Sequence, residues 1–298
     1  MQKKIPAVVM RGGTSRALFF KGSDLPKDSE RWASIFLSAL GSPDPTGRQV
    51  DGLGGGVSSN SKVAVISRSE DPRYDVSYYF GQVAVDKPYV DFVGNCGNIS
   101  SAVAPFAVDE GLVSATKPTT VVRIHQRNTN KLIIAEINVN NGKFDESGDY
   151  RIPGINGTGS RITLNFIDPG GTLTGSLLPT GNVIDTFREI KGVGDIECSI
   201  VDAGNPFIFV RADDLGIDVK NLAQFDATGT AAIIESIRAR AAVLLGFAED
   251  EVKASISSQA IPKIVAISPP ISYQTMDGAM IEDFDTDVVV RCISMGRL

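Results

Sequence analysis

The sequence is poor in the residues that hold metals and disulfides. Its 298 residues include three cysteines and one histidine. Cys96, Cys198 and Cys292 are odd in number and form no C-x-x-C pair, so neither a disulfide framework nor a zinc site is predicted. We interpret the single histidine, His125, as a surface or structural residue, which disfavours histidine-based triads and metal sites.

Long apolar runs and excess positive charge are also lacking. No stretch approaches the roughly 20 apolar residues of a membrane-spanning helix, and the N-terminal segment has no signal-peptide core. The formal net charge is −6, without a lysine or arginine cluster, which argues against a broad nucleic-acid surface. We therefore expect a cytoplasmic protein that binds neither membranes nor nucleic acids.

What the sequence does contain is 30 glycines set between short apolar segments. A hairpin is predicted at residues 7–20 and a strand at 62–67. Alternation along that strand places Lys62, Ala64 and Ile66 on one face of a sheet.

The segment 99–108 predicts a helix that is apolar on nearly all sides. Asn98 is expected to be its N-cap, and Gly111 lies where a C-cap glycine is common. Pro105 should kink or tighten it. A helix without a polar face must be buried, so we expect it at the centre of a domain.

The second half repeats this pattern. A strand, turn and strand at 198–210 precede a helix at 228–245, and a strand at 263–268 begins with a lysine as the earlier one does. Asn205 takes the place of Thr14. Similarity at so long a period predicts two copies of one domain.

We place the two domains at residues 1–190 and 191–298. The strand at 286–294 corresponds to the one at 89–93, but no segment after it matches the first half's loop and helix. The second domain is therefore expected to be incomplete and the chain to be part of a longer one. Residues 294–296 should line a cleft opposite Lys62.

Three loops rich in small residues could form a site, at 12–15, 52–61 and 94–98. Their backbone N–H groups suit carboxylates, especially where a loop precedes a helix. The loops could also be simple turns. None has the spacing of a nucleotide-binding motif.

Two side chains beside these loops could carry chemistry. Burial among apolar neighbours lowers a lysine pKa, which would make Lys62 a general base, unless it points to solvent from an edge strand. A helix N-terminus lowers a thiol pKa, which would activate Cys96, unless it is only a small buried side chain.

Eight motifs along the whole chain together resemble the PrpF family. They are MRGGTSR at 10–16, GSPD at 41–44, RQVDGLGG at 48–55, SNSKVAV at 59–65, FGQV at 80–83, GNCGN at 94–98, LPTGN at 178–182 and DAGNP at 202–206. That family contains 2-methylaconitate cis–trans isomerases, with relatives that act as methylitaconate isomerases, aconitate isomerases and oxalomesaconate tautomerases. The resemblance implies an α+β, diaminopimelate-epimerase-like fold. Each of its two pseudo-repeated domains is a β-barrel or curled sheet around a central apolar helix, with the active site between them.

The resemblance also implies roles for particular residues. The catalytic lysine falls on Lys62, and a cysteine whose role varies among family members falls on Cys96. The expected substrate-binding residues are Arg11, Thr14, Ser15, Arg16, Gly54, Gly55, Ser58, Ser59, Asn60, Ser61, Asn95, Gly97, Asn98, Asn205, Ser294, Met295 and Gly296.

The expected activity is a proton transfer on an unsaturated tricarboxylate without metal or organic cofactor, in the first place 2-methylaconitate cis–trans isomerisation. Aconitate or methylitaconate isomerisation and 4-oxalomesaconate tautomerisation are alternatives within the enzymes. A non-catalytic carboxylate-binding accessory protein of a dehydratase is the alternative outside them. Besides the small-molecule substrate, expected partners are a second copy in a homodimer and an aconitase-like dehydratase.

Overall fold

The computed structural model describes residues 4–275 and 278–295 and divides into two compact units, Met1–Asp168 and Pro169–Leu298. The sequence places this boundary at 190/191 instead. The difference arises because residues 185–190 form a strand that pairs with the next strand of the second unit. Each unit has its own sheet and apolar core.

The first unit is a sheet with helices on both faces. Its strands are β1 (Val8–Gly12), β2 (Ser15–Lys21), β3 (Lys62–Arg68), β4 (Val76–Val83), β5 (Val90–Asp91), β6 (Thr119–Gln126), β7 (Lys131–Asn140), β8 (Lys143–Phe144) and β9 (Thr163–Phe166). They lie in the order β1-β2-β3-β4-β6-β7-β8, with β5 beside β4 and β9 beside β7. Because β2 and β3 are parallel neighbours, their N-terminal ends lie at the same end of the strands.

Alternation along β3 divides its side chains between two cores. Ala64 and Ile66 face the larger core, and Val63 and Val65 face a smaller one. Helix α1 (Trp32–Leu40) covers the smaller core and ends at Gly41, whose φ of 71° is left-handed. The predicted pleat of this strand is confirmed.

The larger core surrounds the predicted apolar helix, which forms as two pieces, α2 (Gly97–Ser100) and α3 (Val103–Asp109). The residues from Val103 to Val108 are all buried. The interruption at residues 101–102 lies one turn before Pro105, because a proline ring clashes with the carbonyl four residues earlier and donates no hydrogen bond to it. The Ser101 and Ala102 backbone N–H groups donate to carbonyls three residues earlier, so the helix is tightened here, one of the two expected effects of Pro105.

The second unit repeats the pairings of the first. Its strands are β10 (Asp185–Ile190), β11 (Gly194–Asp202), β12 (Pro206–Arg211), β13 (Lys263–Ser268), β14 (Tyr273–Gln274), β15 (Met280–Ile281) and β16 (Val289–Ile293), and its helices are α4 (Thr228–Leu244) and α5 (Glu251–Ser257). The main sheet has the order β10-β11-β12-β13-β16. β11, β12 and β13 pair as β1, β2 and β3 do, antiparallel and then parallel.

One detail of the repeat differs from the sequence match. β16 pairs antiparallel with β13, which is the position that β4 holds beside β3. The sequence instead matches this strand to residues 89–93, which contain β5. β5 itself has two residues and pairs with β4.

Every helix within residues 4–275 and 278–295 is too short or too polar to span a membrane.

Candidate active site

Lys62 is the first residue of β3, directly after the glycine- and serine-rich loop 52–61. It is only 7 % exposed, and β3 is an interior strand between β2 and β4. Its Nζ donates a hydrogen bond to Gln82 Oε1 and lies 5.5 Å from the centre of the Phe80 ring. An edge-strand lysine that points to solvent is therefore excluded.

The partner of Lys62 was not expected from the sequence, where FGQV at 80–83 counted only as a motif. Gln82 is opposite Lys62 in the antiparallel register of β3 and β4. Directly opposite residues lie on the same face of a sheet. The signal that could have identified Gln82 is therefore a long polar side chain near the end of the largely apolar strand β4.

The hairpin turn 12–15 is held by the first turn of α2. Asn98 Nδ2 donates to Thr14 Oγ1 at 2.9 Å, and the Thr14 backbone N–H donates to Asn98 Oδ1 at 3.3 Å. A Cβ on Gly12 would lie 2.4 Å from the Asn98 carbonyl oxygen. Glycine at position 12 therefore permits the close approach of the two loops.

The expectation that Asn98 caps the helix is wrong. Cys96 is the N-cap residue of α2, and its side chain makes no capping hydrogen bond. Asn98 lies inside the first turn, and its carboxamide contacts the hairpin turn instead. Asn95 is buried, and its Oδ1 accepts a hydrogen bond from Ser100 Oγ at 3.3 Å.

Cys96 is half-buried and packs against the larger core. Burial raises the pKa of the neighbouring Tyr78 phenol well above its usual range, and its electrostatic interaction with Cys96 acts in the same direction. Cys198, in contrast, lies in the second unit's core, where burial raises its pKa to about 12. Cys96 thus differs from Cys198 in lying at the surface of the core, beside a loop of the candidate site.

A buried glutamine, Gln49, supports the loop 52–61, and the sequence analysis also missed this residue. Gln49 Nε2 donates to Ser42 Oγ and Ser61 Oγ, both at 2.8 Å. Its Oε1 accepts from the Gly56 backbone N–H at 2.9 Å. Within the same loop, residues Ser58–Asn60 form a 3-10 turn. Gln49 therefore supports this loop at two points, the Gly56 backbone N–H and the Ser61 hydroxyl.

The arginines of the first hairpin differ in their contacts. Arg16 Nη2 donates to the Leu53 carbonyl at 3.3 Å, which joins the hairpin to the loop 52–61, and it lies beside Gly55. Arg11 is exposed, and its Nη1 donates to the Gly13 carbonyl at 2.8 Å. Both guanidinium groups lie near the glycine-rich loops.

Hydrogen bonds join the loops that carry the expected residues of the first unit. Asn98 links the hairpin turn to the loop 94–98, Arg16 links it to the loop 52–61, and Lys62 begins the strand after that loop. The remaining expected residues belong to the second unit. Asn205 lies in the turn between β11 and β12, Ser294 and Met295 follow β16, and Gly296 lies outside the described residues.

His125 has structural contacts, as expected. Its ring stacks on Tyr74 with centroids 4.5 Å apart, and Nε2 is 2.8 Å from Asn130 Oδ1. Within residues 4–275 and 278–295, no group of three or more histidine, cysteine, aspartate or glutamate side chains is arranged to hold a metal ion.

Comparisons with known proteins agree along the whole chain. The family described as PrpF protein matches residues 2–298. The 3-methylitaconate isomerase of Eubacterium barkeri is 44 % identical over 298 residues, which are 99 % of this chain and 77 % of that protein. The 2-methyl-aconitate isomerase of Shewanella oneidensis is 37 % identical over 310 residues, covering 100 % of this chain and 78 % of the relative.

Solved structures support the same grouping. The crystal structure of methylitaconate-delta-isomerase superposes with a TM-score of 0.73 at 43 % identity, over 98 % of this chain and 76 % of that one. A probable proline racemase from Agrobacterium radiobacter K84 gives a TM-score of 0.54 at 13 % identity, over 92 % of this chain and 68 % of that one. The second likeness concerns the fold alone. The expected α+β, epimerase-like fold is thereby confirmed.

Proposed function

This chain belongs to the PrpF family and is an isomerase, and from that premise we propose that it moves a proton on an unsaturated tricarboxylate with Lys62 as the acid–base group. The observation that carries this proposal is the buried Lys62 amine at the end of a rigidly held glycine-rich loop. A buried amine in such a place can exchange a proton with a substrate carbon while water is excluded.

The reaction begins at a C–H bond next to a double bond that is conjugated with a carboxylate. The neutral Lys62 amine takes this proton, and the electron pair of the broken C–H bond delocalises into a dienolate. The resulting ammonium then returns the proton to the same or another carbon. If the former double bond rotates in the dienolate and the proton returns to the same carbon, the cis–trans geometry changes. If the proton returns to another carbon, the double bond moves. In both cases the enzyme gives back the proton that it took.

The carboxylates of the substrate need donors that are already in position. We assign this role to backbone N–H groups of the segments 54–58 and 95–98, with Arg11 or Arg16 as the nearby positive charge. The N–H groups of Gly54 and Gly56 are not among them, because they donate to the Leu40 carbonyl and to Gln49 Oε1. Donors fixed before the reaction stabilise the charge that develops in a dienolate without reorganising. The contacts of Asn98 and Gln49 provide this rigidity within the first unit.

The preferred substrate is 2-methylaconitate, with aconitate, methylitaconate and 4-oxalomesaconate as alternatives for the same proton transfer. Incubation of each compound with the enzyme in deuterated water, followed by NMR, tests the proposal. We expect one compound to isomerise with deuterium incorporation at the allylic carbon. Binding of a tricarboxylate without exchange or isomerisation of any of the four would instead support a carboxylate-binding accessory protein of a dehydratase.

We expect Cys96 to line the site rather than to carry the transferred proton. Cys96→Ala should lower kcat by at most about a hundredfold, because loss of a required acid–base group typically costs roughly 10²–10⁴-fold. Steady-state kinetics check this, with Cys198→Ala, in the core of the second unit, as the matched variant. Complete inactivity of a folded Cys96→Ala protein, beside an active Cys198→Ala protein, would make Cys96 a second proton carrier.

A further inference from the structure

The face of the sheet that carries Lys62 also carries a glutamine to which the mechanism above gives no role. Gln82 is 4 % exposed, and its Oε1 accepts a hydrogen bond from Lys62 Nζ. The contact follows from the register, since the two residues are directly opposite on antiparallel strands.

The other two hydrogen bonds of Gln82 determine which way its carboxamide faces. Nε2 donates to the Ser58 carbonyl at 3.1 Å and to the Ser61 carbonyl at 2.9 Å. Carbonyl oxygens only accept, so the NH₂ group must face them and the amide oxygen must face the lysine. A flipped amide would place an acceptor against two acceptors, which is why the assignment is unambiguous.

We propose that Gln82 is a positioning residue that holds the Lys62 amine for proton transfer while allowing it to lose its charge. An amide oxygen accepts a hydrogen bond from the neutral or the charged amine, whereas a carboxylate would favour the charged form. The NH₂ group of the same amide is bound to the loop 58–61. Gln82 therefore keeps the amine in a fixed position relative to that loop.

The surroundings explain why an uncharged partner matters here. Asp91 is opposite Gln82 on β5 and is 1 % exposed, so β4 lies between the strand of Lys62 and the strand of this buried carboxylate. Tyr78 and Cys96 are the other titratable groups that belong to this core. The proposal rests on the acid–base role given to Lys62.

The test compares Gln82→Glu and Gln82→Leu with the unchanged enzyme. The carbon next to Lys62 Nζ is followed by NMR in protein with ¹³C-labelled lysine, its signal assigned with Lys62→Arg, and kcat and KM are measured over the same pH range. A carboxylate beside the amine favours its charged form, so Gln82→Glu should raise the titration midpoint, and the rising limb of kcat/KM, by at least about one pH unit. Gln82→Leu should lower kcat by roughly ten- to a hundredfold with little change in KM, because the amine is no longer held.

Gln126 provides a matched control, since it is a fully buried glutamine of the same sheet whose amide contacts Asn128 and Thr129 instead. Gln126→Glu should leave the Lys62 midpoint unchanged. An unshifted midpoint in Gln82→Glu, an equal shift in Gln126→Glu, or normal kcat in Gln82→Leu would overturn the proposal. If Gln82→Glu does not fold, the proposal is tested by Gln82→Leu alone, in which kcat should fall while KM changes little. The titration needs no substrate, so failure of all four compounds as substrates would refute the proposed function without deciding the effect of Gln82 on Lys62.

Discussion

Replacement of Lys62 by alanine is expected to lower kcat by roughly 10⁴-fold, the upper end of the range for one acid–base group. The loss should be this large because the same amine both takes and returns the proton. Deuterium incorporation into the substrate, measured by NMR, should fall in parallel with turnover. Lys62→Arg should be equally inactive, since a guanidinium keeps the positive charge but does not act as a base at accessible pH.

A lysine of the same unit serves as the control for this substitution. Lys21 lies at the end of β2 and forms an ion pair with Glu110 at 2.9 Å, away from the loops of the candidate site. Lys21→Ala should retain near-normal turnover. Near-normal turnover of Lys62→Ala itself would remove the lysine from the mechanism, whereas retained substrate affinity without turnover supports the proposed role.

Replacement of Phe106 by alanine is expected to destabilise the first unit by about 3–5 kcal/mol, the cost of a large cavity in an apolar core. Phe106 is 2 % exposed, and its ring centroid lies 5.5 Å from that of Phe19. Denaturant unfolding followed by the fluorescence of Trp32, the single tryptophan of the chain, measures the stability of this unit.

An exposed aromatic residue provides the comparison. Tyr150 belongs to the same unit and is 49 % exposed, so Tyr150→Ala should change the free energy of unfolding by less than about 1 kcal/mol. Equal effects of the two substitutions would show that α3 is not the centre of the core. Because α3 has only seven residues, its stability depends on packing rather than on helix propensity.

The features that the sequence predicts well depend on neighbours in the chain. The pleat of β3 follows from the alternation of side chains along a strand, and the interruption before Pro105 follows from the proline ring and its missing N–H. The combined motifs identify the family and, with it, the fold. These predictions succeed because each is determined over a few residues or by the whole pattern at once.

The features that the sequence missed depend on pairing between distant segments. Gln82 meets Lys62 only because of the register of β3 and β4, and Gln49 meets Ser61 only through the fold of the intervening loop. Asn98 has the composition of an N-cap, yet a tertiary contact with Thr14 determines its side-chain position. Likewise, residues 185–190 show no strong apolar alternation, so the sequence does not reveal that they form a strand. The predicted boundary at 190/191 therefore assigns them to the first unit, whereas in the structure they pair within the second.

The interior position of β3 has a consequence for how the protein responds to warming. Backbone amides of a strand flanked on both sides exchange with solvent only when much of the unit opens, whereas amides of exposed loops exchange through small local openings. Lys62 and Gln82 belong to the interior strands β3 and β4, whose amides are expected to exchange slowly, whereas the N–H groups assigned to the carboxylates lie in the segments 54–58 and 95–98 outside the strands. Heating should therefore release the substrate before it displaces the amine, so that affinity declines at temperatures where the hydrogen bond between Lys62 and Gln82 is still intact.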